Sequence, residues 1–295
     1  MTVDDANSDS ISNQVIQINR KTGETQTIFK SHYEVAATQG LQTSKQWIVW
    51  VDGDDFGENT TLYAFNEKTE ETMAFGSTDV QVSKEFPVLA GDYVAWTEHT
   101  KKTNDTSMIV YDLSHQQQKT AQPIQNFEWL NADYSIHDHS VIYVEKTHNQ
   151  ATIKRYDIAT DRVTKYPTKE TAIGWPTMLN ANTIAYVAYD DEEQLEKNHL
   201  MIYDMKEKRT RNAFPNEKTV DIAYLKKYDT NVFLTVKDEQ LYTFTQQGQT
   251  FKKQQLDFPY NFAQEDITYA NNEFFILRHD IDSTQYELII EQAVE

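Results

Sequence analysis

The chain has 295 residues and a formal charge of −19, set by 46 acidic against 27 basic side chains, and it contains no cysteine. A surface this acidic repels phosphate backbones and anionic lipid, which argues against nucleic-acid binding and membrane-surface docking. The missing thiols exclude disulfides, thiolate metal sites and cysteine nucleophiles, and no apolar run reaches the length of a membrane span.

In chain order, Met1 to Ser12 is polar and acidic and reads as a flexible segment preceding a single domain over residues 13–295. Either the chain is cytoplasmic, or Met1 begins a mature form whose export signal has been removed. From Ile16 onward one pattern returns: a short apolar strand ending in a Tyr-Asp-like pair, a polar turn, and another strand. Its copies are Ile16–Asn19, Leu62–Asn66, Ile109–Asp112, Lys154–Asp157, Met201–Asp204 and Leu241–Phe244, with a further one at Leu288–Glu291. The interval is about 46 residues, inside the range of a propeller blade.

Upstream of each copy from Leu62–Asn66 onward lies a nearly continuous apolar strand: Trp47–Asp52, Tyr93–Glu98, Val141–Glu145, Ile184–Val187, Val232–Thr235 and Phe274–Leu277. Such runs suit strands buried on both faces. Before them come turns rich in Asn, Asp and Gly, such as Ala90-Gly91-Asp92, His137-Asp138-His139 and Asn180-Ala181-Asn182. These residues adopt the positive φ that tight hairpins require. Each unit therefore reads as a four-stranded antiparallel meander. Sustained helical periodicity and helix-capping signals are missing.

The fold expected is all-β: a six-bladed β-propeller whose last blade joins C-terminal strands, from about Asp266 to Glu291, to the N-terminal strand Thr25–Phe29. The segment Ile16–Asn19 is then surplus, and seven blades are the alternative. The stretches Pro87–Glu98, followed by Met108–Leu113, and Trp175–Tyr186 resemble repeats of bacterial and archaeal surface propellers and of the TolB and dipeptidyl-peptidase IV group. The Ser-Pro-Asp-Gly turn usual in TolB repeats is absent. The resemblance implies an extracytoplasmic or surface-attached protein that binds something.

Candidate site residues fall into few groups. Asp52, Asp54, Asp55 and Glu58 share a loop whose carboxylates suit Ca²⁺, although the EF-hand spacing is missing and a solvated hairpin loop is the plainer reading. Asp190–Glu193 and His279–Asp282 are further acidic loops, expected on the same face. His137 and His139 form the one His-x-His, placed in an exposed turn without a third ligand. Tyr33, Phe86, Trp129, Trp175, Tyr260 and Phe262 lie before or at the first strand of five units. They suit an aromatic ring for sugars or peptide side chains, or else ordinary core packing.

No Gly-x-Ser-x-Gly elbow, phosphate-cradling loop or His-Glu-x-x-His is present. The function expected is a monomeric, non-enzymatic module that binds a peptide, glycan or protein partner on an acidic, aromatic-rimmed face. A lyase or hydrolase acting at the channel mouth and a purely structural spacer are the alternatives.

Overall fold

The computed structural model describes the chain except residues 1, 4–11, 20, 55–56, 125–132, 148–149, 191–193, 218–219, 224, 228–231, 238–239, 248–249, 257–262, 271–272, 280–285 and 293–295. Among the described residues there are strands and turns and no helix. Five four-stranded meanders run in chain order: β4–β7 (Ala36–Thr43, Trp47–Asp54, Thr60–Asn66, Glu71–Phe75), β8–β11 (Val82–Ala90, Tyr93–Thr100, Asp105–Asp112, Gln117–Ile124), β12–β15 (Tyr134–His137, Ser140–Thr147, Gln150–Asp157, Arg162–Pro167), β16–β19 (Ala172–Asn180, Thr183–Tyr189, Asn198–Asp204, Arg209–Asn212) and β20–β23 (Lys226–Lys227, Val232–Lys237, Gln240–Gln247, Thr250–Leu256). Two three-stranded sheets stand at the ends: β1–β3 (Thr2–Val3, Gln14–Ile18, Thr25–Lys30) and β24–β26 (Ala263–Ala270, Glu273–His279, Tyr286–Gln292).

The four-stranded repeat stands as the sequence indicates, but the pairing of the N-terminal strand differs. Thr25–Lys30 does not complete the sheet of β24–β26; it pairs with Gln14–Ile18 in a sheet of its own, Ile18 opposite Thr25 and Gln14 opposite Lys30. The segment Ile16–Asn19, surplus in a six-bladed closure, thus supplies most of its partner strand. Only Phe29 of β3 is buried, so hydrophobic pattern gives this strand little to choose its neighbour by. The local hairpin turn decides instead.

The chain divides into two compact units, residues 1–147 with 154–165, and residues 148–153 with 166–295. In the first, successive sheets stack face to face because their middle strands are apolar on both sides. Trp47, Val49 and Val51 of β5 pack toward Val94, Trp96 and Ile109 of the next sheet. Ile48 and Trp50, pointing the other way, pack against Val15 and Phe29. Met108 and Val110 of β10 then face Tyr143 and Tyr156. A two-residue period with both sets buried is what a radially stacked blade requires.

First strands of successive sheets lie side by side: β4 against β8 and β8 against β12 in the first unit, β16 against β20 in the second. The opening residue of the third strand fixes the following sheet. The Lys84 amide donates to Thr60 Oγ1 at 2.6 Å, and the Asn198 side chain both donates to the Ile222 carbonyl and accepts from its amide, at 2.9 and 2.8 Å.

The Tyr-Asp-like pair explains itself as a turn device. Asn19, Asn66, Asp112, Asp157 and Asp204 each accept backbone amides two or three residues on, the Asx geometry that competes well with open loop. Four residues past each lies a left-handed residue: Gly23, Glu70, Gln116, Asp161 and Lys208.

Candidate functional site

Three residues singled out from sequence, Tyr33, Asp52 and Asp54, converge in the first unit. Asp52 sits near the end of β5 with 1% of its surface exposed. Opposite it on β4 stands Thr38, whose hydroxyl donates to Asp52 Oδ1 at 3.1 Å. Burial pushes the Asp52 carboxyl above the usual carboxylate range, while hydrogen bonds from Ser31 and Thr38 and the charge of His32 pull it back. Ser31, His32 and Tyr33 all come from the bend between β3 and β4, where the Tyr33 amide donates to Ser31 Oγ at 3.2 Å.

Tyr33 and Tyr63 are both half-buried beside that carboxylate. Burial raises the pKa of each phenol, and the Asp52 charge raises it further. Tyr63 stacks on Trp50 at 5.8 Å and lies 4.6 Å from the ring of Phe29. The indole N–H of Trp50, fully buried, has no hydrogen-bond partner among the described residues. The arrangement is an acid held in low dielectric between aromatic rings, a combination that favours cations over neutral ligands.

The neighbouring carboxylates do other work. Asp54 accepts the Glu58 amide at 2.7 Å and the Asn59 side-chain amide at 2.6 Å, so its oxygens close the loop. Glu58 is exposed, and Asp55 lies outside the described residues. Among the described residues no three His, Asp or Glu side chains converge as metal ligands.

Of the aromatic group, Phe86 and Trp175 are described, while Trp129, Tyr260 and Phe262 lie outside. Both sit in mid-strand rather than at strand starts, on bulges that break the register of β8 with β9 and of β16 with β17. Gly40, Phe86, Trp175 and Asp221 recur about one repeat or a multiple apart and share positive φ, 66°, 54°, 52° and 55°. Gly and Asp take that conformation readily, whereas a bulky aromatic side chain resists it. The Phe86 ring is nonetheless 54% exposed, with its carbonyl accepting the Tyr134 hydroxyl. Pro87 beside it would lie 3.0 Å from a Cβ placed on Gly40, so the two bulges pack together.

His137 ends β12 with its Nε2 at 3.4 Å from Asp138, and His139 meets the ring edge of Tyr93 at 5.5 Å. The His-x-His is a hairpin turn, as its sequence position indicates. Of the second acidic loop, Asp190 is described and pairs with His199 at 3.2 Å; residues 191–193 and 280–282 lie outside.

Sequence reasoning did not single out Ser31, Thr38, Trp50 or Tyr63 as parts of a site. The signal was available in the repeat: Thr38 holds the position that Lys84 holds one unit later.

No family model matches the chain, and no curated protein matches it. Solved structures do. The β-propeller domain of the trilobed protease from Pyrococcus furiosus, reported with an open velcro topology, aligns at a TM-score of 0.65 with 11% identity, over 86% of this chain and 82% of that one. An oligogalacturonate lyase in complex with manganese gives 0.65 with 12% identity, over 96% and 83%. An acylaminoacyl peptidase gives 0.62 with 10% identity, over 87% of this chain but 46% of that one. At such identities the likeness is one of fold, and the fold is a β-propeller.

Proposed function

We propose that this propeller is a binding module of an extracytoplasmic or surface-associated protein. It holds a peptide, glycan or protein partner on aromatic side chains of its first strands, and it acts as a monomer without catalysing a reaction. The observation that supports this reading is the backbone at Phe86 and Trp175. Holding a non-glycine residue in a left-handed bulge costs on the order of 1–3 kcal/mol and persists where something else requires the side chain. At the same repeat position Gly40 and Asp221 form the turn more cheaply, and the Phe86 ring faces solvent rather than core. A ring placed so is suited to stacking on a sugar or gripping an apolar peptide side chain.

Phe86→Gly and Trp175→Gly should each raise the melting temperature while reducing capture on glycan and peptide arrays. A fall in melting temperature with unchanged capture would show that the rings serve packing alone, and turnover of any arrayed compound would overturn the non-enzymatic reading. The blade count belongs to the same proposal: six by the repeat spacing, with the separate N-terminal sheet favouring seven. Electron density from a crystal of the chain would count the blades directly. No described helix is long and apolar enough to cross a membrane. Fractionation of the native host would test the compartment, with a cytoplasmic signal contradicting it.

A further inference from the structure

Asp52, Glu98 and Glu145 occupy one repeat position at the end of the second strand in three successive sheets. Their surroundings differ: Asp52 and Glu145 are buried, and Glu98 is half-buried. Glu145 is paired with Lys154, both buried. Glu98 accepts the Trp96 indole at 3.2 Å and the Ser77 amide at 3.3 Å, and its charge acts on the buried Lys84 ammonium. The lysines come from two slots of the repeat, one on the first strand and one on the third. In the sheet of Asp52 those slots hold Thr38 and Tyr63.

Among the described residues Asp52 therefore keeps a buried charge with hydroxyl donors and no lysine, and the basic group acting on it is His32, exposed on the connector. The Trp50 indole, which corresponds to Trp96, lacks the acceptor that Glu98 gives its counterpart. A carboxylate removed from water without a cation is costly, and the Glu145–Lys154 pair shows how this chain offsets that cost.

We propose that Asp52 receives a primary ammonium group from outside the chain, in the role that Lys154 plays for Glu145: a lysine side chain of a bound peptide or protein. The half-buried phenols of Tyr33 and Tyr63, both under the influence of the Asp52 charge, supply π-systems suited to a cation, and the overall negative charge draws it in. The inference rests on the binding reading above and names the chemistry of the partner. A free polyamine shares that chemistry.

The test is calorimetric titration at physiological salt with acetyl-Gly-Lys-Gly-amide, its Nε-acetylated form, and putrescine. The lysine peptide should bind the wild type, and acetylation should abolish binding. Asp52→Asn should weaken it by about tenfold or more, and Thr38→Lys, which supplies an internal ammonium, should do the same. Asp138→Asn, removing an exposed charge elsewhere, should change nothing. Binding of putrescine as tightly as peptide assigns the site to free amines, and peptide-only binding assigns it to a protein partner. Equal affinity for the acetylated peptide, or for Asp52→Asn, would overturn the proposal; the acetylation arm decides it even where a variant fails to fold. If a partner captured on arrays is indifferent to lysine acetylation, this inference falls while the binding reading stands. If the lysine peptide binds but no array ligand does, the reverse holds.

Discussion

The Asp52 and Glu145 regions are built on the same repeat position, yet one holds its acid with hydroxyls and the other with a lysine. Around Glu145 the buried charge is matched within the chain, and Lys154 also lies 5.8 Å from the Tyr143 ring centre. Around Asp52 the same backbone carries Thr38 and Tyr63 where cations could stand. A repeat fold can thus keep its strands fixed and change one side chain per sheet, so that a buried ion pair in one sheet is replaced by a hydroxyl-held acid in another.

The largest expected effect lies on the paired side. Glu145→Gln leaves Lys154 buried and alone and should lower stability by about 3–5 kcal/mol in denaturant unfolding. The double change Glu145→Leu with Lys154→Met should recover most of that loss. A loss under about 1 kcal/mol in the single variant would show that the pair is solvent-screened, and the contrast with Asp52 would dissolve.

On the unpaired side, Thr38→Val removes one of the hydroxyls holding the Asp52 carboxylate. The expected loss at neutral pH is about 1–3 kcal/mol, because a buried acceptor is left unsatisfied. The loss should shrink when the carboxylate is protonated. A pH-independent effect would mean that Val disturbs packing rather than charge.

The smallest effect concerns the turns that close the two sheets. Glu70 and Asp161 both adopt the left-handed conformation, but Asp161 also accepts the Tyr156 hydroxyl at 3.0 Å. Glu70→Gly should therefore gain about 0.5 kcal/mol through relief of backbone strain. Asp161→Gly should gain nothing, having lost that hydrogen bond. Equal gains from both would show that the Tyr156 bond contributes little.

The meander, its turns and its buried middle strands were legible because each follows from local chemistry: β-branched and aromatic runs such as Ile184–Val187, Asx residues such as Asp204, and turn pairs such as Gly91-Asp92. The pairing of Thr25–Lys30 was not, since a strand with one buried side chain carries little information about its neighbour. Tyr33 and Asp52 were each visible as candidates. Their convergence with Ser31 and Thr38 depends on the bend between β3 and β4, which no periodicity encodes. The strained backbone at Phe86 was hidden for the opposite reason: a left-handed bulge is ordinarily read from Gly or Asn, and an aromatic residue there gives no warning.

The contrast between the acids reduces to the sign of one stability difference. A raised carboxyl pKa in the folded state means that ionised Asp52 opposes folding. The cost is absent at pH below the unfolded value of about 3.9, grows as pH rises through the raised folded value, and is constant above it. Unfolding of Asp52→Asn and the wild type should therefore be compared across acidic to neutral pH. The account expects the variant to be more stable than the wild type at neutral pH, with the advantage vanishing in acid. A variant less stable at neutral pH, as expected for Glu145→Gln, would show that Asp52 already has its counter-charge within the chain.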